Sequence, residues 1–245
     1  MTEQVGERRG IFVTGTGTEV GKTVVAAVIA HTLAASGLDV AVFKPCVTGL
    51  NDPTADGPIS TDAEGFSAQR LADHELLRLA AESDQSDEEI APYRYGPPAS
   101  PHLAAAMAGE EIDPARLRAA ASAAAGGADV IVCEGVGGLL VPLAREYLVR
   151  DLAVDLGYPL AIAAPPGLGT INHTLLTIEV ARAAGLEVAV VLLTPWADRP
   201  TEIEASNRET IASLGQVEVQ TLPPLDLAAP STWPKLALMD LKLSI

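Results

Sequence analysis

The chain has 245 residues, 48% of them hydrophobic, enough for one substantial core, and α/β chains of this size commonly form a single domain. A formal charge of −16, from 16 basic and 32 acidic residues, argues against a nucleic-acid partner, and 4% aromatic content leaves little for stacking on bases. No apolar run reaches the roughly 20 residues of a membrane-spanning helix. Residues 1–9 lack the apolar core of a secretory signal and read as a flexible start. Cys46 and Cys133 form neither a disulfide framework nor a metal-ligand spacing, and read as small buried hydrophobes. A cytoplasmic location without membrane attachment is expected.

The first predicted strand, residues 10–14, runs directly into Gly15-Thr16-Gly17-Thr18-Glu19-Val20-Gly21-Lys22-Thr23-Val24, which opens an apolar helix at 21–36. Strand, glycine-rich turn and helix are the context of a phosphate cradle. Successive backbone N–H groups and the positive helix end converge on phosphate oxygens, Lys22 reaches the β- and γ-phosphates, and the Thr23 hydroxyl holds Mg. Five residues separate Gly15 from Gly21 where the common motif has four.

The second strand, 40–44, ends on Lys44, followed by Pro45, Cys46, Val47, Thr48 and Gly49. In open α/β sheets ligands gather beyond the carboxyl ends of the strands, which gives a lysine there weight beyond that of a solvated charge. Residues 51–60 read as a loop and 61–80 as a helix. Thr61 and Glu64 stand at capping-box spacing, so Asp62 reads equally as a ligand or as an acid favouring a helix N-terminus.

Helices follow at 102–109, with Ser100 as cap and Pro101 in the first turn, and at 114–125, opened by Asp113-Pro114. The strand 130–134 ends on Glu134 in the layout of an acid that serves a metal, and Gly135, Val136, Gly137 and Gly138 follow, glycines that would let the backbone approach a ligand. After a helix at 148–156 and a strand at 160–164, residues 166–172 open a helix at 171–184. Gly169, Thr170 and Asn172 stand where free N–H groups can receive a carboxylate, or where Thr170 simply caps the helix. A strand at 188–194, a helix at 201–214 and a strand at 217–222 complete the alternation of a mostly parallel sheet with helices on both faces, of the P-loop NTPase type.

The segment from Gly15 to Thr23, with its five-residue spacing, resembles the P-loop of the dethiobiotin synthetases. Lys44-Pro45 with Thr48-Gly49, Ser100-Pro101-His102, Glu134-Gly135 with Gly137-Gly138, and Leu168-Gly169 with Asn172-His173 are similar to further segments of that family, in family order. The resemblance implies ATP-dependent closure of a cyclic urea. A diamine, 7,8-diaminopelargonic acid, takes up CO2 as a carbamate, is phosphorylated on that carbamate and cyclises with loss of phosphate. It further implies Mg on Thr23, Asp62 and Glu134, catalysis by Lys22, Lys44 and Thr18, and contact of Thr18 and Thr48 with the diamine and its carbamate. It implies a homodimer in which residues 166–172 meet the substrate's carboxylate across the interface. No role follows for His102.

The nucleotide would rest on Glu19, Val20, Gly21, Lys22, Thr23 and Val24, on Glu134, Gly135, Val136 and Gly137, and, around its base, on Thr194, Pro195, Pro223, Pro224 and Leu225. Many family members carry an asparagine after the strand at 188–194, whereas Thr194 and Pro195 stand there in this chain. Neither reproduces the two-point pairing of an amide with adenine, so relaxed choice of base is expected. The rival reading, a nucleotide switch of the partitioning or metal-delivery type, usually carries a second lysine early in the P-loop, and none precedes Lys22 within this one.

Overall fold

The computed structural model describes residues 9–51 and 71–236. Six strands form one parallel sheet: β1 (Gly10–Gly15), β2 (Val40–Phe43), β3 (Val130–Glu134), β6 (Leu160–Ala164), β7 (Val188–Leu193) and β8 (Glu218–Thr221), in the order β2-β3-β1-β6-β7-β8. All six strands expected from the sequence are present, with ends shifted by a residue or so. β1, β2, β3 and β6 are buried along their full length, as continuous apolar runs in a parallel sheet should be. A two-stranded antiparallel pair, β4 (Pro142–Ala144) and β5 (Tyr147–Leu148), lies outside this sheet and was not expected.

The helices are α1 (Lys22–Ala34), α2 (Asp73–Ala81), α3 (Asp87–Ile90), α4 (Pro101–Met107), α5 (Pro114–Ala125), α6 (Val149–Leu156), α7 (Thr170–Ala183) and α8 (Glu202–Gly215). On one face of the sheet, Ile11, Val13, Val42, Val132 and Ala163 pack with the apolar residues of α1 and with Leu76, Leu77 and Ala80 of α2. On the other, Phe12, Phe43, Ile131 and Cys133 pack with Leu117 of α5 and Leu152 of α6. Both cysteines are buried, as expected of small apolar side chains. α1 is apolar nearly all round because it is covered by both the sheet and α2.

Asp113 caps α5 as read from the sequence, its Oδ1 accepting the Ala115 N–H at 2.8 Å. Ser100 precedes α4 with extended backbone, but its hydroxyl caps nothing, and Pro101 in the first turn sets the start. The helix expected at 61–80 begins, within the described residues, at Asp73. Ala72 is extended there, and the Glu75 carboxylate turns back to accept the Ala72 N–H at 2.7 Å. Residues 61–70, Asp62 among them, lie outside the described residues.

Candidate active site at the carboxyl ends of the strands

β1 delivers the chain into the glycine-rich loop. Gly21, at φ 89, takes the left-handed conformation that starts α1, and a Cβ there would meet Thr194 Cγ2 at 2.6 Å. The Thr194 methyl therefore faces the loop, and the end of β7 closes on the start of α1. Lys22 is buried and its Nζ donates to the Gly17 carbonyl at 2.7 Å, so the loop folds around its own ammonium. Burial lowers the Lys22 pKa and the Lys44 charge adds to this, while Glu134 and Asp73 oppose it.

A cluster of charges lies beside that loop. Lys44 Nζ stands 2.6 Å from Asp73 Oδ2 and 2.6 Å from Glu134 Oε1, with the side chains of Lys44 and Glu134 4% and 0% exposed. The Lys44 N–H donates to the Ile90 carbonyl at 2.8 Å, which fixes the strand exit onto α3. Burial works against the Lys44 charge, yet the two carboxylates outweigh it and raise its pKa above the ordinary value. Partial burial works against the Asp73 charge, but the same ammonium, with Thr23 and Lys22, holds its carboxyl below the usual range. Burial pushes Glu134 up, with Lys44 opposing.

Thr23 completes the cluster. Its Oγ1 is 3.0 Å from Asp73 Oδ1 and 2.9 Å from Glu134 Oε1, but a hydroxyl has one hydrogen and can serve one of the two at a time. Glu134 Oε2 is buried and meets no hydrogen-bond partner among the described residues. Converging hard oxygens, one of them an orphan, fit a divalent cation that keeps water and phosphate oxygens in its remaining positions. No group of three His, Cys, Asp or Glu that could hold a metal forms among the described residues, which here bring together two carboxylates and a hydroxyl.

Asp73 was missed in the sequence, where a helix drawn from Thr61 placed it deep in an interior. Its signal is local: an acid at the first residue of an amphipathic run, with Glu75 returning to the backbone before it. Among the glycines after Glu134, a Cβ on Gly137, at φ 62, would lie 2.7 Å from Val141 Cγ2 and 3.7 Å from Thr18 Oγ1, and one on Gly138 3.3 Å from the Gly15 carbonyl, so this loop lies against the phosphate cradle.

Thr48 is half-buried in a loop held by residues 93–97, Val47 donating to the Tyr93 carbonyl and Gly49 to that of Pro97. Gly169, at φ 92, starts α7 in place of Thr170, whose side chain is buried with its hydroxyl 3.4 Å from that of Thr174. Thr170 is thus no cap, and its N–H is engaged by Gly167. The N–H groups of Ile171 and Asn172 meet no acceptor among the described residues. Pro195 and Pro224 are exposed, while Pro223 and Leu225 are half-buried, Leu225 against the α1 face.

A family described as an AAA domain matches residues 9–231. The ATP-dependent dethiobiotin synthetase BioD of Anaeromyxobacter dehalogenans strain 2CP-1 is 41% identical over 185 residues, 76% of each chain. This chain belongs to the dethiobiotin synthetase family. The synthetase of Bacillus subtilis strain 168 is 33% identical over 88% of this chain and 87% of its own. Among solved structures, the septum site-determining protein MinD of Pyrococcus horikoshii OT3, complexed with Mg-ADP, has a TM-score of 0.52 at 16% identity, covering 96% of this chain and 94% of that one. A ParA family ATPase from Chlorobium tepidum TLS has 0.51 at 13%, covering 91% and 88%. Those two likenesses speak for the fold, and the synthetases for the family.

Proposed function

We propose that this chain is a dethiobiotin synthetase that carboxylates 7,8-diaminopelargonic acid with CO2 and uses ATP to close the ureido ring, releasing ADP and phosphate. The observation that supports it most is the buried pair of Lys44 and Glu134, joined by the half-exposed Asp73, against a P-loop, in a chain 41% identical to a synthetase over three quarters of both lengths. A carbamate oxygen attacking the γ-phosphorus brings anions together, so catalysis rests on alignment and fixed positive charge. Lys44 suits this as a permanent cation: with its pKa raised it transfers no proton and keeps its charge. Lys22 lies within the phosphate cradle. The amine left free then attacks the carbamoyl carbon and phosphate departs, with no covalent bond to the protein.

Thr23, Glu134 and Asp73, the last in the role first assigned to Asp62, would hold Mg, which supplies compensating charge on the phosphates. Thr18, exposed beside Gly137, and Thr48 would contact the diamine and its carbamate. The start of α7, at Gly169 and Asn172, would receive the diamine's carboxylate across a homodimer interface in a single-domain, cytoplasmic enzyme. Sedimentation velocity reads the assembly directly, and a one-chain mass at micromolar concentration contradicts the dimer.

The testing assay combines the purified chain with the diamine, bicarbonate, Mg and ATP. Phosphate release that depends on the diamine is expected. Release at the same rate without it favours a nucleotide switch.

A further inference from the structure

Asn207 sits in the second turn of α8 and, though polar, is only 7% exposed. Its Nδ2 donates to the carbonyls of Pro166 at 2.9 Å and Gly167 at 3.1 Å, some 40 residues away, in the loop that leads into α7. Both amide hydrogens are thereby committed to two successive carbonyls. The Gly167 carbonyl also accepts the Thr170 N–H at 3.2 Å, so one atom ties Asn207 to the first residue of the helix. At the far end of α8, a Cβ on Gly215 would lie 2.9 Å from Ile178 Cδ1, a close approach that seats α8 on α7. Between these points the axis of α7 is set by packing, and the conformation of residues 166–169 by Asn207. Pro166 is buried, but Leu168 is 97% exposed and Gly169 is exposed, so the part of the loop nearest α7 has no apolar anchorage of its own.

We propose that Asn207 is a positioning residue for substrate recognition: it holds residues 166–169 so that the N–H groups at the start of α7 meet the carboxylate of the diamine. The proposal rests on the reading given above for the start of α7. Among the described residues the side-chain hydrogen bonds of Asn207 go to Pro166 and Gly167 and to no residue of the nucleotide cradle or the Lys44 cluster, so its contribution is assigned to the tail of the diamine. Exchanging Asn207 removes its donor from the Pro166 carbonyl, leaves the Gly167 carbonyl with the Thr170 N–H alone and lets the loop shift, and a displacement of about 1 Å costs up to about 100-fold where alignment matters.

The test uses the full chain as wild type, Asn207→Ala and Asn207→Leu, the second keeping volume without donors. Each is assayed with 7,8-diaminopelargonic acid and with the corresponding vicinal diamine that lacks the carboxylate. The wild type is expected to prefer the carboxylate-bearing diamine. In both variants its KM rises about 10–100-fold with kcat nearly held, the KM for ATP is unchanged, and the rate with the carboxylate-free diamine stays at the wild-type value. A preference kept intact in both variants overturns the proposal. Loss of both activities together also overturns it and assigns Asn207 to holding the fold. A wild type indifferent to the carboxylate removes the α7 reading itself, and the proposal with it.

Discussion

Lys44 is the cation that meets Glu134 among the described residues, and Glu134 has no access to solvent that could take over the task. Lys44→Met keeps an apolar stem and deletes the charge. Removing one partner of a fully buried pair costs about 3–5 kcal/mol, because the other is left charged in a poorly solvated site. The Asp73 contact adds little to this figure, since 41% of that side chain faces water. Urea unfolding of the purified chain at about pH 8 should show a loss in this range, and Glu134→Gln made on top should return about 0.5–3 kcal/mol of it.

The pH dependence is fixed in sign. Burial already pushes the Glu134 pKa up, and without Lys44 its strongest opposing influence is gone. A carboxyl whose folded pKa lies above its unfolded value, about 4.3, binds more protons in the native state, so stability falls as pH rises between the two values. The penalty of Lys44→Met should therefore be smaller at about pH 5 than at about pH 8. A loss below about 1 kcal/mol, or a penalty that grows toward acid, would refute the account of the cluster.

Asp73→Asn should raise the Mg concentration needed for half-maximal activity by at least the about 10–100-fold that losing an outer-shell partner costs, whereas Asp62→Asn should leave it nearly unchanged; the reverse order would return the role to Asp62. Base choice should be relaxed, with CTP, GTP and UTP within about tenfold of ATP in kcat/KM, about 1.4 kcal/mol. The N–H groups of Thr194, Trp196 and Leu222 are spent on Ala164, Leu222 and Leu193, and Pro195, Pro223 and Pro224 have none; a preference for ATP above about a hundredfold would reveal a reader of adenine elsewhere. Burial, against the pull of Lys44, pushes the Cys46 thiol up to about 12, and Cys133 is raised by burial alone. A thiol-exchanging disulfide reagent at about pH 8 should thus find neither cysteine in the native chain and both after unfolding, while fast reaction of Cys46 would mean that the strand exit opens.

The sheet was legible because most of its strands are short apolar runs ended by a glycine, a proline or a polar residue, and the phosphate cradle because its spacing fixes both its glycines and its lysine. β4 and β5, of three and two residues, are too short to show a period. Asp73 was hidden by a boundary: capping signals at Thr61 and Glu64 and at Ala72 to Glu75 compete, and sequence alone does not say which begins the helix that faces the site. Of the two readings open for Thr170, the cap falls away because Gly169 starts α7 and the Thr170 side chain is buried, and Asn207 drew no notice because nothing in the local pattern marks it as buried. The glycines after Glu134 were legible as places of close approach, while their approach to the neighbouring phosphate loop is a fact of topology that the sequence does not carry.

The most direct test of the account follows the carbon. The full chain is incubated with 7,8-diaminopelargonic acid, carbon-13-labelled bicarbonate, Mg and ATP, and cyclic product and phosphate are counted together. The account predicts a cyclic urea carrying the label in its ring carbonyl, with one phosphate released for each ring closed. Phosphate released without labelled ring, at a rate indifferent to the diamine, would contradict it.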